Sequence, residues 1–208
     1  MAAHPRDHTS GAKMKQGIPM LKRLRVLVLL GCSLGMLQAE LLDINSDWVP
    51  EVGKPGGPPT VVYFVTHDCP ISNRLLPEVR RICGEYAVQD VRCLLAYVDP
   101  TLTAEAIREH QETYGTAQPA VLDSDHRLVK LAAATVTPEA ALFDRSGELA
   151  YRGRINNLYA ELGTPRRRPT EHDLREALDA VLDGREVSRP RTQAVGCFIP
   201  ELRRDRED

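Results

Sequence analysis

Five cysteines, Cys32, Cys69, Cys83, Cys93 and Cys197, are the side chains here whose placement could do chemistry. None forms a CxxC pair, which removes the usual zinc spacing and leaves each to act singly or to pair over a long distance. Cys69 is distinguished by its surroundings. The stretch VVYFVTHDCPISNRLLP (61–77) begins as a β-branched and aromatic run, passes a polar His-Asp turn and becomes helical at Pro70. A sulfur at that point meets unpaired backbone N–H groups and the positive end of a helix dipole. Both favour thiolate over thiol, and thiolate is the nucleophile. Pro70 suits the first helical position, where its missing N–H would be unpaired anyway. His67, in the same loop, is a candidate base or charge partner.

The remaining cysteines read differently. Cys83 falls on the apolar face of the helix after Cys69, and Cys93 falls inside a second apolar strand, so both are expected to pack in the core. Cys197 lies in the apolar patch AVGCFI (194–199) of an otherwise polar tail. Such a patch is expected to dock on the domain and to bring Cys197 back to Cys69 as its resolving partner. A plain packing role is the alternative.

These residues need elements to position them. TVVYFV (60–65) has no polar alternation, as expected of a buried central strand. Leu75, Leu76, Val79, Ile82, Cys83 and Tyr86 recur at helical steps, with Pro77 inside the run. A second buried strand spans 91–98. Thr103 is expected to cap a helix reaching Tyr114, with Gly115 as its stop. A short extended piece at 119–123, a short helix at 127–134, strands at 139–143 and 148–155 joined by a hairpin turn, and a helix ending near Leu182 follow. Thr170 with Asp173 resembles a capping arrangement for that last helix. The order predicts an α/β fold, a mixed central sheet with helices on both faces.

With Cys69 and Pro77 in place, the chain resembles the thioredoxin superfamily, in which a Cys-x-x-Cys opens a helix after a buried strand and a proline follows eight residues later. Ser72 stands where the second cysteine would be, so a local disulfide is impossible. Thr137-Pro138 before the strand EAALF matches the superfamily's threonine and cis-proline, which lie against the active cysteine and receive extended substrates. PAVLDSDHRLVKLAAA (119–134) resembles the extra strand and helix of the redoxin branch, which includes alkyl hydroperoxide reductase/thiol-specific antioxidant proteins. FDRSGELAYRG (143–153) matches that branch's final hairpin. The resemblance covers about 48–184 and identifies Thr66 with the threonine that hydrogen-bonds peroxide in peroxiredoxins. Val62 replaces that family's proline, and its arginine has no counterpart near Pro138.

The resemblance implies a thiol–disulfide or antioxidant oxidoreductase with Cys69 as nucleophile and with Thr66, Thr137 and Pro138 as its setting. It implies no organic cofactor. Its partners would be thiol or disulfide proteins or peroxide, with a thiol system as reductant. Two other readings stay open. His67, Cys69 and Cys197 are soft ligands suited to copper(I), as in copper-delivery proteins on this fold, although those carry two cysteines around the first loop. The fold could also serve as a binding module without catalysis.

Residues 20–39 have the order of a secretory signal: Lys22, Arg23 and Arg25, an apolar run, and Ala39 as a small residue at the cleavage point. Residues 1–39 are therefore expected to be a signal segment, with translation starting at Met20. LLGC (29–32) resembles a lipoprotein box, so lipidation of Cys32 would anchor the protein to a membrane. The mature protein is expected to be periplasmic or secreted, where disulfides persist. It would comprise a domain at 45–185 and a tail at 186–208. Of its 208 residues, 27 are basic and 29 acidic, a formal charge of −2. That balance, with only 5% aromatic residues, gives nucleic acid no electrostatic or stacking footprint.

Overall fold

A computed structural model describes residues 44, 45, 49 and 51–202. The expected leader, with Met20, Cys32 and Ala39, lies outside the described residues, as does 203–208 of the tail. In chain order the elements are β1 (Thr60–Val65), α1 (Pro70–Ala87), β2 (Arg92–Tyr97), α2 (Ala104–Tyr114), β3 (Ala120–Leu122), α3 (Arg127–Ala132), β4 (Val136–Thr137), β5 (Glu139–Phe143), β6 (Leu149–Gly153), β7 (Tyr159–Glu161), β8 (Thr164–Pro165), α4 (Asp173–Leu182) and β9 (Cys197–Phe198).

β1 is buried at every position. Val61, Tyr63 and Val65 enter one apolar cluster, and Val62 and Phe64 enter another. A strand apolar on both sides must lie centrally, with a layer on each face. β2 runs parallel to β1 and β3 parallel to β2, while β5 pairs antiparallel on the other side of β1 and β6 antiparallel to β5. The sheet order is β3-β2-β1-β5-β6. The buried apolar residues of α1, α2 and α4 join the first cluster, and those of α3 join the second. The expected mixed sheet with helices on both faces is what forms.

Thr103 caps α2 by accepting from the Ala106 N–H at 3.2 Å, and Gly115 ends it in the left-handed region at φ 60°. Pro77 is accommodated inside α1. Two expectations are corrected. Cys83 and Cys93 do lie in the core, but bonded to each other and not singly, with Cα atoms 5.9 Å apart. The chain turns back directly after α1, with the N–H groups of Asp90 and Val91 bonding Ala87 O and Tyr86 O. That reversal brings the helix's last turns against the start of β2. Thr170 does not cap α4, whose N-cap is His172 with no side-chain cap bond. The Thr170 hydroxyl instead accepts from Asn157 Nδ2 at 2.9 Å, and Asp173 pairs with Arg154 at 2.7 Å.

The tail comes back to the sheet. Thr192 N–H donates to Arg152 O and Arg152 N–H to Pro190 O, so residues 190–192 run along β6. The Thr192 hydroxyl bonds Tyr151 Oη at 2.6 Å and accepts from the Arg154 N–H at 3.1 Å. Gly153 permits this approach, because a Cβ there would collide with the backbone of Thr192. Further on, β9 pairs antiparallel with β4.

Candidate functional site

Cys69 is the N-cap of α1, with φ −80° and ψ 111°. An extended cap residue directs its side chain at the first turn's free donors, and Ser72 N–H donates to Cys69 Sγ at 3.5 Å. Across the site, the Cys69 thiol donates to Thr137 O at 3.2 Å. The Thr137–Pro138 bond is cis, as the resemblance implied. Thr66 reaches the same residue from β1's end, its hydroxyl 3.3 Å from the Thr137 hydroxyl. Four expected site residues, Thr66, Cys69, Thr137 and Pro138, therefore converge.

Cys197 joins them. The β4–β9 register sets Cys197 opposite Thr137 and Phe198 opposite Val136. Alternation along the strand turns Phe198 outward, where it is 83% exposed. Gly196 makes the approach possible, since a Cβ there would run into the Thr137 carbonyl. Ile199 N–H bonding Thr135 O at 3.1 Å holds the far end.

The two sulfurs are driven apart electrostatically. Burial pushes the Cys69 thiol up, but the Cys197 thiol, the Ser72 N–H and the Ser72 hydroxyl outweigh it, so its pKa falls below the ordinary value. The Cys197 thiol is pushed up to about 11 by its bond to Cys69, then by burial, then by the charges of Cys69 and Asp68. Of the two sulfurs, Cys69 is thus the one more readily ionised. The Ser72 hydroxyl is fully buried and makes no hydrogen bond among the described residues. It lies close enough to favour the thiolate, which would give it the acceptor it lacks. The Thr137 carbonyl acts in the opposite sense, holding the thiol form.

His67 is placed differently from the other candidates. It is exposed, and its backbone carbonyl accepts from Asn73 Nδ2 at 2.9 Å. No hydrogen bond joins its ring to Cys69 among the described residues. Asn73 leads to a network the sequence reading missed. Because its amide nitrogen donates to His67 O, its Oδ1 must accept, here from His110 Nε2 at 2.8 Å. A neutral His110 protonated at Nε2 then accepts at Nδ1 from the Tyr97 hydroxyl, also at 2.8 Å. Burial first, and the charge of His67 second, depress the His110 pKa and keep it neutral. This chain ties the Cys69 loop to α2 and β2. Its only sequence signal was the Ile107, His110, Tyr114 spacing, which puts a histidine on α2's inward face.

A second missed group braces the Thr137 side. Buried Glu139 accepts from Thr135 N–H at 2.8 Å and Val136 N–H at 3.4 Å, and its other oxygen lies 3.4 Å from Arg152 Nε. Arg152 also donates to Ala133 O. As for copper, Cys69 and Cys197 supply two sulfurs. Among the described residues no group of three or more His, Cys, Asp or Glu side chains is placed to hold a metal ion.

With this geometry in view, the similarity to known proteins can be stated. No protein family matches the chain by sequence, and no curated protein does. Among solved structures, an uncharacterized conserved protein from Geobacillus kaustophilus is 26% identical, covering 79% of this chain and 89% of that one, with a TM-score of 0.67. A hypothetical protein from Sinorhizobium meliloti 1021 is also 26% identical, covering 77% and 88%, with a TM-score of 0.66. The β3-β2-β1-β5-β6 sheet, the cysteine capping the helix after its central strand and the cis-proline facing that cysteine are the features that the resemblance to the thioredoxin superfamily implied.

Proposed function

We propose that the chain is a redoxin-type thiol–disulfide oxidoreductase working outside the cytoplasm, cycling between a Cys69/Cys197 dithiol and a Cys69–Cys197 disulfide. The observation that carries this reading is the β4–β9 register, which sets Cys197 opposite the residue whose carbonyl already holds the Cys69 sulfur. A tail docked for packing alone has no need of a cysteine at that position. The opposed pKa shifts of the two sulfurs support an exchange role, because a stabilised thiolate is the better nucleophile at neutral pH and the better leaving group.

In the proposed cycle two electrons and two protons leave the pair when it closes, and thiol or disulfide partners accept or supply them. Ser72 and the α1 N-terminus stabilise the Cys69 thiolate. Thr66 and Pro138 set the position of Thr137, and His67 contributes charge at the loop's rim. The inserted β3 and α3 support the redoxin assignment. The Cys83–Cys93 bond supports an extracytoplasmic site, since such disulfides persist in oxidising compartments. Equilibration in graded glutathione buffers, followed by non-reducing peptide mapping, tests the proposal. The Cys69–Cys197 peptide is expected to appear and disappear reversibly. Thiols persisting at both positions across the whole range would refute it.

A further inference from the structure

The proposed redox pair has an inside and an outside. Cys69 is only 1% exposed, and the residues around its sulfur, Thr66, Ser72 and Thr137, are all buried. Cys197 is partly exposed, on a two-residue strand laid over the site from the surface. Exchange at a disulfide proceeds by attack of a thiolate on one sulfur while the other departs along the same axis. An attacker of Cys69 would have to displace buried residues to reach a sulfur that the surface barely exposes. An attacker of Cys197 meets a residue that is already partly exposed on that surface strand.

From this geometry we infer that Cys197 is the sulfur at which an external thiol enters, and that Cys69 is the buried partner that departs and later returns. The inference rests on the thiol–disulfide reading above and deepens it, because the helix-capping cysteine is then not the one that meets the partner. In the first step an external thiol loses its proton to water and its thiolate attacks Cys197 Sγ. A new S–S bond forms to Cys197, the Cys69–Cys197 bond breaks, and its electron pair leaves on Cys69. In the second step another external thiolate attacks the partner's sulfur, releasing the partner as its own disulfide. Cys197 then departs and takes a proton from water. Two external thiols are oxidised and one protein disulfide is reduced.

The arrangement of donors agrees with that direction. Ser72 N–H and the Ser72 hydroxyl receive the departing Cys69 charge, whereas Cys197 has the charge of Asp68 beside it and is a poor place to leave a negative sulfur. A low-pKa thiol departs faster, so accessibility and leaving-group stability favour the same sulfur.

The test uses the full-length oxidised protein and glutathione as the entering thiol. Glutathione is added alone, and N-ethylmaleimide follows only after an acid quench within milliseconds, which traps the released protein thiol in protonated form before it can return. The mixture is then mapped. The expected product carries glutathione on Cys197 and maleimide on Cys69, at least tenfold over the reverse arrangement. The reverse labelling, or equal amounts of both, overturns the inference while leaving the redox pair intact. If no Cys69–Cys197 disulfide can be prepared, the thiol–disulfide reading itself fails, and that result is recognised before glutathione is added.

Discussion

Two cysteine pairs lie within one small fold, and they differ in everything but the element. Cys83 and Cys93 belong to consecutive elements, sit deep in the larger apolar cluster and are bonded. Cys69 and Cys197 come from opposite ends of the domain and are free. One of them occupies a helix N-terminus, where backbone and side-chain donors face its sulfur. Reducing the first bond would leave two thiols in apolar surroundings that stabilise neither as an anion. Reducing the proposed Cys69–Cys197 bond would release a thiolate beside those donors. The lability of a disulfide is set largely by the comfort of its reduced form, so the first pair reads as a staple and the second as an exchange centre.

The strongest way to break that contrast is to swap the expected losses. Cys69→Ser should lower thiol–disulfide turnover by about a hundredfold or more, the scale on which removal of a nucleophile acts. Cys83→Ser combined with Cys93→Ser should keep turnover near wild type at a temperature where the variant is folded. Comparable losses in both, measured with glutathione disulfide as substrate, would erase the distinction between staple and centre. Denaturant unfolding should show the converse. Loop closure across a sequence separation of 10 residues corresponds to about 2–3 kcal/mol on the chain-entropy model. The double variant should lose roughly that much stability, and Cys69→Ser far less.

The core of this contrast was legible from the residues, and its other half was not. A strand-loop-helix pattern places Cys69 through local chemistry alone: β-branched residues, a polar turn, then Pro70. The same holds for Thr103 and Gly115 around α2, because caps depend on a few adjacent residues. The Cys83–Cys93 bond depends on how the chain turns after α1 and on the register in which β2 then pairs with β1. Two apolar cysteines look identical whether bonded or merely packed, and the periodicities that mark them as core are silent about the choice. Cys197 was legible as an apolar residue in a polar tail. Its register against Thr137 was not, since that depends on Gly196 and Gly153 permitting two close backbone approaches. Thr170 was misread because its hydroxyl bonds Asn157, a partner set by tertiary structure. The Tyr97–His110–Asn73 chain was missed for the same reason.

Gly196 sharpens the comparison at the next level of effect. A Cβ at this position meets the Thr137 carbonyl, and backbone cannot swing aside as a side chain can. Forcing atoms into such a contact costs typically about 1–3 kcal/mol, which β9 can avoid by lifting away. Gly196→Val should therefore slow closure of the Cys69–Cys197 disulfide about tenfold, while the Cys83–Cys93 bond is untouched. Gly57→Ala is the control, because a Cβ there meets nothing within 4 Å. Stopped-flow oxidation by glutathione disulfide measures both. Equal closure rates in Gly196→Val and wild type would mean that the strand register does not govern the pairing.

The smallest effect is the most specific to the exchange centre. Ser72 places a buried, unpartnered hydroxyl beside Cys69. In the thiol form that hydroxyl is unsatisfied, a cost of about 1–3 kcal/mol for a buried polar group. In the thiolate form it has an acceptor. Ser72→Ala removes the penalty from one state and the bond from the other, and both changes raise the Cys69 pKa toward the ordinary thiol value of 9.0. The sign for stability follows. A depressed folded-state pKa contributes stability that is full above the unfolded value and is lost as the pH falls through the lowered value. The reduced Ser72→Ala protein should thus match or exceed wild type at acid pH and fall behind it as the pH rises toward 9. Removing Cys197, the larger of the lowering groups, should move the same midpoint further. Thermal unfolding of the reduced-pair proteins across that pH range, with the Cys83–Cys93 bond kept intact, gives the crossing directly. A constant difference between Ser72→Ala and wild type at every pH would show that the hydroxyl does not act on the Cys69 charge.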